Sequence, residues 1–345
     1  MDTADSEMNH LAKSYQFSND IIVIDGIWGV GKSAISPVVA SMRGVEKKRI
    51  DPIIEYLAAL RWLGKLDVDT AAAMIANYCD YFTYHNAIGR EVNLRLRDDS
   101  GLKNSPGWAR YLWRAFRADG DHVEADIDKT NPATLLITDL SIVGIDVLEK
   151  ALGTRLKFIE VVRHPLHLFN YYRNYLVDYS RRREFTLSFE RQRERIPWIA
   201  RDWPDLYLTS SVSDRAALLI SRSQRLVSNS SKIDSMMTIA FEQFVTDTNS
   251  QIEQISDFLG RPIHYPLRGV KRRHRIPRAE VSSGKASNAR SWISSTSDAE
   301  VNTYRDLLRL VNDSCTREVS AEFLRAVEFY EMSWPSQLSE IGRTR

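Results

Sequence analysis

The chain is poor in cysteine, with only Cys79 and Cys315 in 345 residues. They stand far apart without His or Cys at ligand spacing, so neither a disulfide framework nor a zinc site is expected. Each reads as a small buried apolar residue. Apolar runs of the roughly 18 residues that span a bilayer are absent. The opening MDTADSEMNH is polar and acidic, without the apolar core of a secretory signal. The expectation is a cytoplasmic protein with no membrane partner. An excess of one charge is missing as well. The 47 Lys and Arg face 45 Asp and Glu, a net +2, which argues against nucleic acid as a partner and leaves any basic patch local. No internal repeat occurs. With 43% hydrophobic and 27% charged residues, the chain has the makings of one large α/β core.

What is present begins at Ile21 to Ser36, IIVIDGIWGVGKSAIS. Four apolar, β-branched residues run into Asp25, and then Gly26, Gly29, Gly31, Lys32 and Ser33 complete G-x-x-x-x-G-K-S between a strand signal and a helix. In that context the pattern is a phosphate loop. The glycines let backbone N–H groups turn inward, and the helix start adds unpaired amides and a positive dipole end. Gly26, Gly29, Val30, Gly31, Lys32, Ser33 and Ala34 are therefore the expected nucleotide-binding residues. Pro37 cannot donate within its helix and should loosen it.

The rest of the chain reads as one α/β domain over residues 19–335, with a loose leader (1–18) and a tail (336–345). Asp51 and Pro52 start a helix whose stripe is Ile53, Leu57 and Leu60 and which Gly64 ends; a second helix covers 70–85. No strand is visible between the loop and this helical insertion (about 50–90). Residues 90–98 alternate like a strand. Trp108, Tyr111, Leu112, Ala115 and Phe116 recur at helical spacing, with Arg110, Arg114 and Arg117 expected on the solvated face. Residues 119–132 are acidic and turn-rich, a surface loop. TLLITD (134–139) is a strand ending in Asp139, where a carboxylate reaches a metal or an attacking group, or simply caps a turn. A helix over 144–152 and the strand LKFIEVV (156–162), leading into Arg163-His164-Pro165, make a right-handed parallel crossover. Gly26, Asp139 and Arg163 then share the carboxyl edge of the sheet, where ligands bind. The span 166–195 reads as helical. Its Arg181, Arg182, Arg183, Arg191, Arg193 and Arg195 form either a phosphate-clamping lid (about 166–205) or a solvated face. MMTIAF is a further strand, Ile252, Ile255 and Leu259 mark a helix that Gly260 stops, and helices close the chain from 298 to 332.

This order of segments resembles the sulfotransferase family: the phosphate loop, VVRHPLHLFNYY (161–172), TIAFEQFVTDTNSQIEQISDFLGRP (238–262), and a basic Ser/Gly loop with Trp292. The resemblance covers residues 20–310, poorly over 45–130, and implies a three-layer phosphate-loop fold with a mainly parallel sheet. It implies 3'-phosphoadenosine 5'-phosphosulfate as donor, its 5' end on Lys32 and Ser33 and its 3'-phosphate on Arg163 with the stretch from Arg278 to Lys285. Tyr171, standing where the family carries a Ser that binds the 3'-phosphate, is counted with these cofactor-binding residues. The acceptor would be a hydroxyl or amine of a small molecule or carbohydrate. Asp139 is the first choice of base, followed by His164 and then His85. The complete G-K-S loop also resembles nucleoside and nucleotide kinases, which would use ATP with magnesium on Ser33 and Asp139. A nucleotide-binding regulator without turnover is a third reading.

Overall fold

The computed structural model describes residue 11 and residues 16–90, 92–96, 98, 100–179, 186–230, 233–278, 281 and 297–335. Arg181, Arg182, Arg183, Lys285, Trp292, the tail 336–345 and most of the leader lie outside the described residues. Seven strands occur among them: β1 (Ile21–Asp25), β2 (Arg49–Ile50), β3 (Thr134–Ile137), β4 (Leu156–Val162), β5 (Ser188–Arg191), β6 (Glu194–Pro197) and β7 (Met236–Ala240). Five form a parallel sheet in the order β2-β3-β1-β4-β7, and β5 pairs with β6 as a separate hairpin. β1 lies in the middle, buried at every residue, with Ile24 opposite Ile137 on one side and Asp25 opposite Glu160 on the other. Continuous apolar runs are what a parallel sheet covered on both faces requires.

The loop after β1 enters α1 (Lys32–Val39). After β2 come α2 (Pro52–Trp62) and α3 (Val68–Ala87), then α4 (Trp108–Arg114), α5 (Asp121–Thr130), α6 (Ile145–Leu152) and α7 (Pro165–Leu176). The later helices are α8 (Pro204–Thr209), α9 (Val212–Asn229), α10 (Phe241–Thr246), α11 (Thr248–Leu259), α12 (Arg268–His274), α13 (Ser297–Ser314) and α14 (Arg317–Ser333). α1 packs with α11 and α12; α3 packs with α2 and α6, and α9 with α7 and α14. This is the expected three-layer α/β fold.

Local signals located α2 and its start. Asp51 accepts from the Ile53 amide at 2.8 Å, and Pro52 takes the first helical position. Ile53 turns outward, however, and Ile54, Leu57 and Ala58 face the core. Other expectations change. β2 exists, but at two residues it is too short to show a period. Residues 92–96 hold no strand: Leu94 and Leu96 are both exposed. The acidic stretch from 119 is helical as α5, because Val123 and Ile127 supply an inward stripe against Phe17 and Ile88. Residues 188–197 form the β5–β6 hairpin, not a helix.

α4 keeps Tyr111 of the expected stripe buried, but its arginines do not lie on a solvated face. Arg114 forks onto Glu46 at 2.8 and 3.0 Å, and Arg110 donates to the Val45 carbonyl at 2.7 Å. Trp108, Leu112, Trp113 and Phe116 face outward. Among the described residues no helix is long and apolar enough to cross a membrane.

Candidate active site

Two close approaches explain the loop's glycines. Gly26 has φ +138°, and a Cβ there would stand 2.3 Å from the Val161 carbonyl oxygen. Gly31 has φ +103°, and a Cβ would fall 2.2 Å from the Phe241 ring. Both positions exclude a side chain for two reasons at once, backbone hand and space. The Tyr171 ring lies against Gly29. Val30 and Ala34 are buried, while Ser33 is exposed in the first turn of α1.

Lys32 is nearly buried. Its Nζ donates to the carbonyls of Gly26 (2.5 Å) and Ile27 (3.2 Å) and pairs with the Asp139 carboxylate. Asp139 therefore reaches the loop from the end of β3, as its place in the sequence suggested. Three further carboxyls surround this pair. Asp25 accepts from Thr138 Oγ1 (2.7 Å) and from the amides of Ser141 (3.0 Å) and Ile142 (2.9 Å). Burial raises its pKa, with Lys32 opposing. Glu160, fully buried beside Asp25, is held well above the usual carboxyl range by desolvation and that neighbour. Glu55, on α2, is pushed up to about 9 by burial and then by the charges of Asp139 and Asp25. At neutral pH Glu55 thus stays protonated beside the Lys32–Asp139 pair. Tyr172, whose phenol burial and Asp139 push well up, and Trp198 beside Glu55 complete the walls.

A second cationic centre adjoins the loop. Arg163, at the end of β4 and 6% exposed, donates through Nη1 to the Gly29 carbonyl (2.9 Å) and through Nη2 to that of Val281 (3.4 Å). Its guanidinium lies 4.6 Å from the centre of the Phe241 ring, and Arg278 approaches the same ring at 5.7 Å. The Glu242 carboxylate is 4.0 Å from Arg163 Nε, which makes no hydrogen bond among the described residues. The loop, Arg163 and Arg278 therefore converge on one place.

His164 does not join them. Its Nδ1 accepts from the Leu166 amide (3.3 Å), capping α7, and its Nε2 sits 3.1 Å from Glu331. His85 ends α3, its ring 3.8 Å from that of Tyr81. Tyr171 is half exposed beside Gly29. Among the described residues no three His, Cys, Asp or Glu side chains are placed to hold a metal ion. Sequence reading missed Glu55, Glu160, Phe241 and Glu242. A carboxylate inside an otherwise apolar strand (LKFIEVV) or helix (PIIEYLAAL) was the available signal for the first two.

Fold and site define a phosphate-loop α/β protein with its candidate site at the carboxyl ends of β1, β3 and β4. No family model and no curated protein matches the chain. Among solved structures it is similar to the sulfotransferase domain of the Synechococcus PCC 7002 olefin synthase, at 11% identity over 94% of this chain and 99% of that one, TM-score 0.42. A sulfotransferase domain from the curacin biosynthetic pathway shares 12% identity over 92% of this chain and 99% of that one, TM-score 0.39. A sulfotransferase from Mycobacterium avium shares 13% over 85% of this chain and 76% of that one, TM-score 0.33. At such identities and scores, the site's own residues have to carry the functional reading.

Proposed function

We propose that the chain is a sulfotransferase that moves a sulfuryl group from 3'-phosphoadenosine 5'-phosphosulfate to a hydroxyl or amine. The observation that carries this reading is the second cationic centre: Arg163 and Arg278 flank Phe241 next to the phosphate loop. A donor with phosphate at both the 5' and 3' positions needs two separated anion sites, and guanidinium forks suit the second. The Arg163 Nε, without a hydrogen-bond acceptor among the described residues, fits that group.

When bound, the donor supplies the sulfuryl group: the acceptor oxygen or nitrogen bonds to sulfur as the bond from sulfur to the 5'-phosphate oxygen breaks. Lys32 and the loop amides stabilise the charge that develops on that oxygen. In the structure Lys32 is tied to Asp139. Turning its ammonium toward the donor frees the Asp139 carboxylate to take the acceptor's proton. Asp139 is the base in this scheme, and Glu55 keeps a second negative charge out of the pocket.

A kinase reading is favoured by one observation. Asp139 at the end of the neighbouring strand and Ser33 exposed on the first turn of α1 are the pair that would share magnesium with a triphosphate. Thermal unfolding with 3'-phosphoadenosine 5'-phosphate and with ATP, each with and without magnesium, separates the two. A ligand at about 100 times its Kd adds about 2.7 kcal/mol of stability. Magnesium-independent stabilisation by the bisphosphate is expected; stabilisation by ATP with magnesium alone would replace this proposal with the kinase.

A further inference from the structure

Trp108, Leu112 and Phe116, four residues apart, form a row on the outward side of α4 and the turn after it, and Trp113 stands beside them. Trp113 is 77% and Phe116 86% exposed, and Trp108 is half exposed. Leu94 and Leu96, each 68% exposed, lie in a segment tied to the approach to α4 by the Leu102 amide, which donates to the Asn93 carbonyl at 2.7 Å. An aromatic side chain carries about 150–250 Å², so these three rings leave on the order of 400 Å² in water. Apolar surface of that extent marks a place where something binds. The opposite side of α4 holds the Val45 carbonyl and Glu46, both ahead of β2. The face therefore lies toward the amino ends of the strands, at the other end of the sheet from the candidate active site. Its charges are sorted as well: exposed Arg95 and Lys103 precede the row, and exposed Asp119, Asp121 and Glu124 follow it, Asp119 meeting Arg90.

We infer that this face is a two-fold interface between two copies of the chain, with the two α4 helices antiparallel. A two-fold contact needs a self-complementary surface. An apolar row with a basic end and an acidic end is one: reversed against itself, it stacks ring on ring and brings Arg95 and Lys103 of each copy to the carboxylates of the other. An anionic lipid surface would attract the basic end and repel the acidic one. Burying the rings of both copies removes about 800 Å², and Leu94, Leu96, Leu112 and the charged rim carry the total past the roughly 1,200 Å² of a specific interface. That is the small end of the range, so the dimer is a micromolar one. Below its dissociation constant each protomer keeps this face in water, and substitutions there leave its own unfolding unaltered. Both candidate active sites stay open in the pair, whatever group they transfer.

Sedimentation velocity of the full chain from about 1 to about 100 µM tests the interface. Monomer giving way to dimer, and to nothing larger, is expected. Trp113→Glu should raise the dissociation constant more than tenfold, and Lys103→Glu or Asp121→Lys severalfold, with circular dichroism unchanged in each. Because the rim pairs run between copies, the double variant with Lys103→Glu and Asp121→Lys should return the constant to near that of the parent. A monomer across the whole range, a dimer that Trp113→Glu leaves intact, or growth to larger species would overturn the two-fold interface. Charge reversals that fail to rescue one another would overturn the antiparallel arrangement. A chain that stays monomeric but sediments with phosphatidylserine vesicles would give the face to a lipid surface instead.

Discussion

At the scale of single residues, the two cations have separable tasks. Among the described residues the Lys32 ammonium hydrogen-bonds to two loop carbonyls and Asp139, so removing it leaves the backbone hydrogen bonds of β1 and α1 in place. Lys32→Ala should lower turnover about 100- to 1000-fold, the usual cost of a lost charge-stabilising donor, while circular dichroism stays unchanged. Retained turnover would remove Lys32 from the chemistry. Arg163→Ala should weaken 3'-phosphoadenosine 5'-phosphate by more than tenfold and ATP by much less, because only the former carries the 3'-phosphate. Equal loss of both, measured by calorimetry, would assign Arg163 to holding the Gly29 and Val281 carbonyls alone. Lys32 was legible in the sequence because its role is local, fixed by glycines within six positions of it. Glu55 was not. Its raised pKa comes from burial and from Asp139 and Asp25, which the chain brings together from two different strands, and no short spacing encodes that.

At the scale of elements, strands and capped helices were readable, and the inward face of α4 was not. Where a segment is paired by an ion buried elsewhere in the fold, local pattern gives the wrong face. In α4 the arginines face inward because Glu46, 3% exposed, waits there. Burial alone would raise that carboxyl, but Arg114 and Arg110 hold it below the usual range. Arg114→Ala would leave this charge buried without its fork and should cost about 3–5 kcal/mol in urea unfolding. Trp113→Ser and Phe116→Ser, on the outward face, should stay within about 0.5 kcal/mol of the parent. The reverse ranking would restore the solvated-arginine reading. The two residues of β2 illustrate a different limit: an edge strand this short exists because β3 offers partners for Arg49 and Ile50, not because its own sequence insists.

At the scale of the whole molecule, the closing helices reach back to the site. Tyr330 of α14 donates to Glu242 (2.5 Å), and Glu331 accepts from Tyr304 (2.7 Å) and meets His164. Glu242 in turn accepts from the His164 amide (3.2 Å) and faces Arg163. Tyr330, more than 150 positions beyond the strand end, therefore braces the carboxylate that faces Arg163. Tyr330→Phe should weaken 3'-phosphoadenosine 5'-phosphate about fivefold, the equivalent of one hydrogen bond near 1 kcal/mol. An unchanged Kd with a lowered Tm would make the contact purely structural.

The same buried groups shape stability against pH from both sides. His167 is held well below the ordinary histidine value by burial, with His164 and Arg163 adding to it. As pH falls through about 6.5 the unfolded chain gains a proton there that the folded chain refuses, so acid destabilises. Glu55 acts in the other direction. The unfolded chain loses its proton near the ordinary glutamate value of about 4.3, whereas the folded chain keeps it until about 9, so stability declines as pH rises across that window, and Glu160 has the same sign. Each such group contributes a slope on the order of 1 kcal/mol per pH unit. Maximum Tm is therefore expected on the acid side of neutrality. Glu55→Gln should flatten the alkaline limb and leave the protein more stable than its parent at pH ~8. His167→Phe should flatten the acid limb without touching the alkaline one. A Tm profile in which Glu55→Gln is parallel to the parent from pH ~5 to ~9 would show that Glu55 ionises normally, and with it would go the role given to Glu55 of keeping its charge out of the pocket.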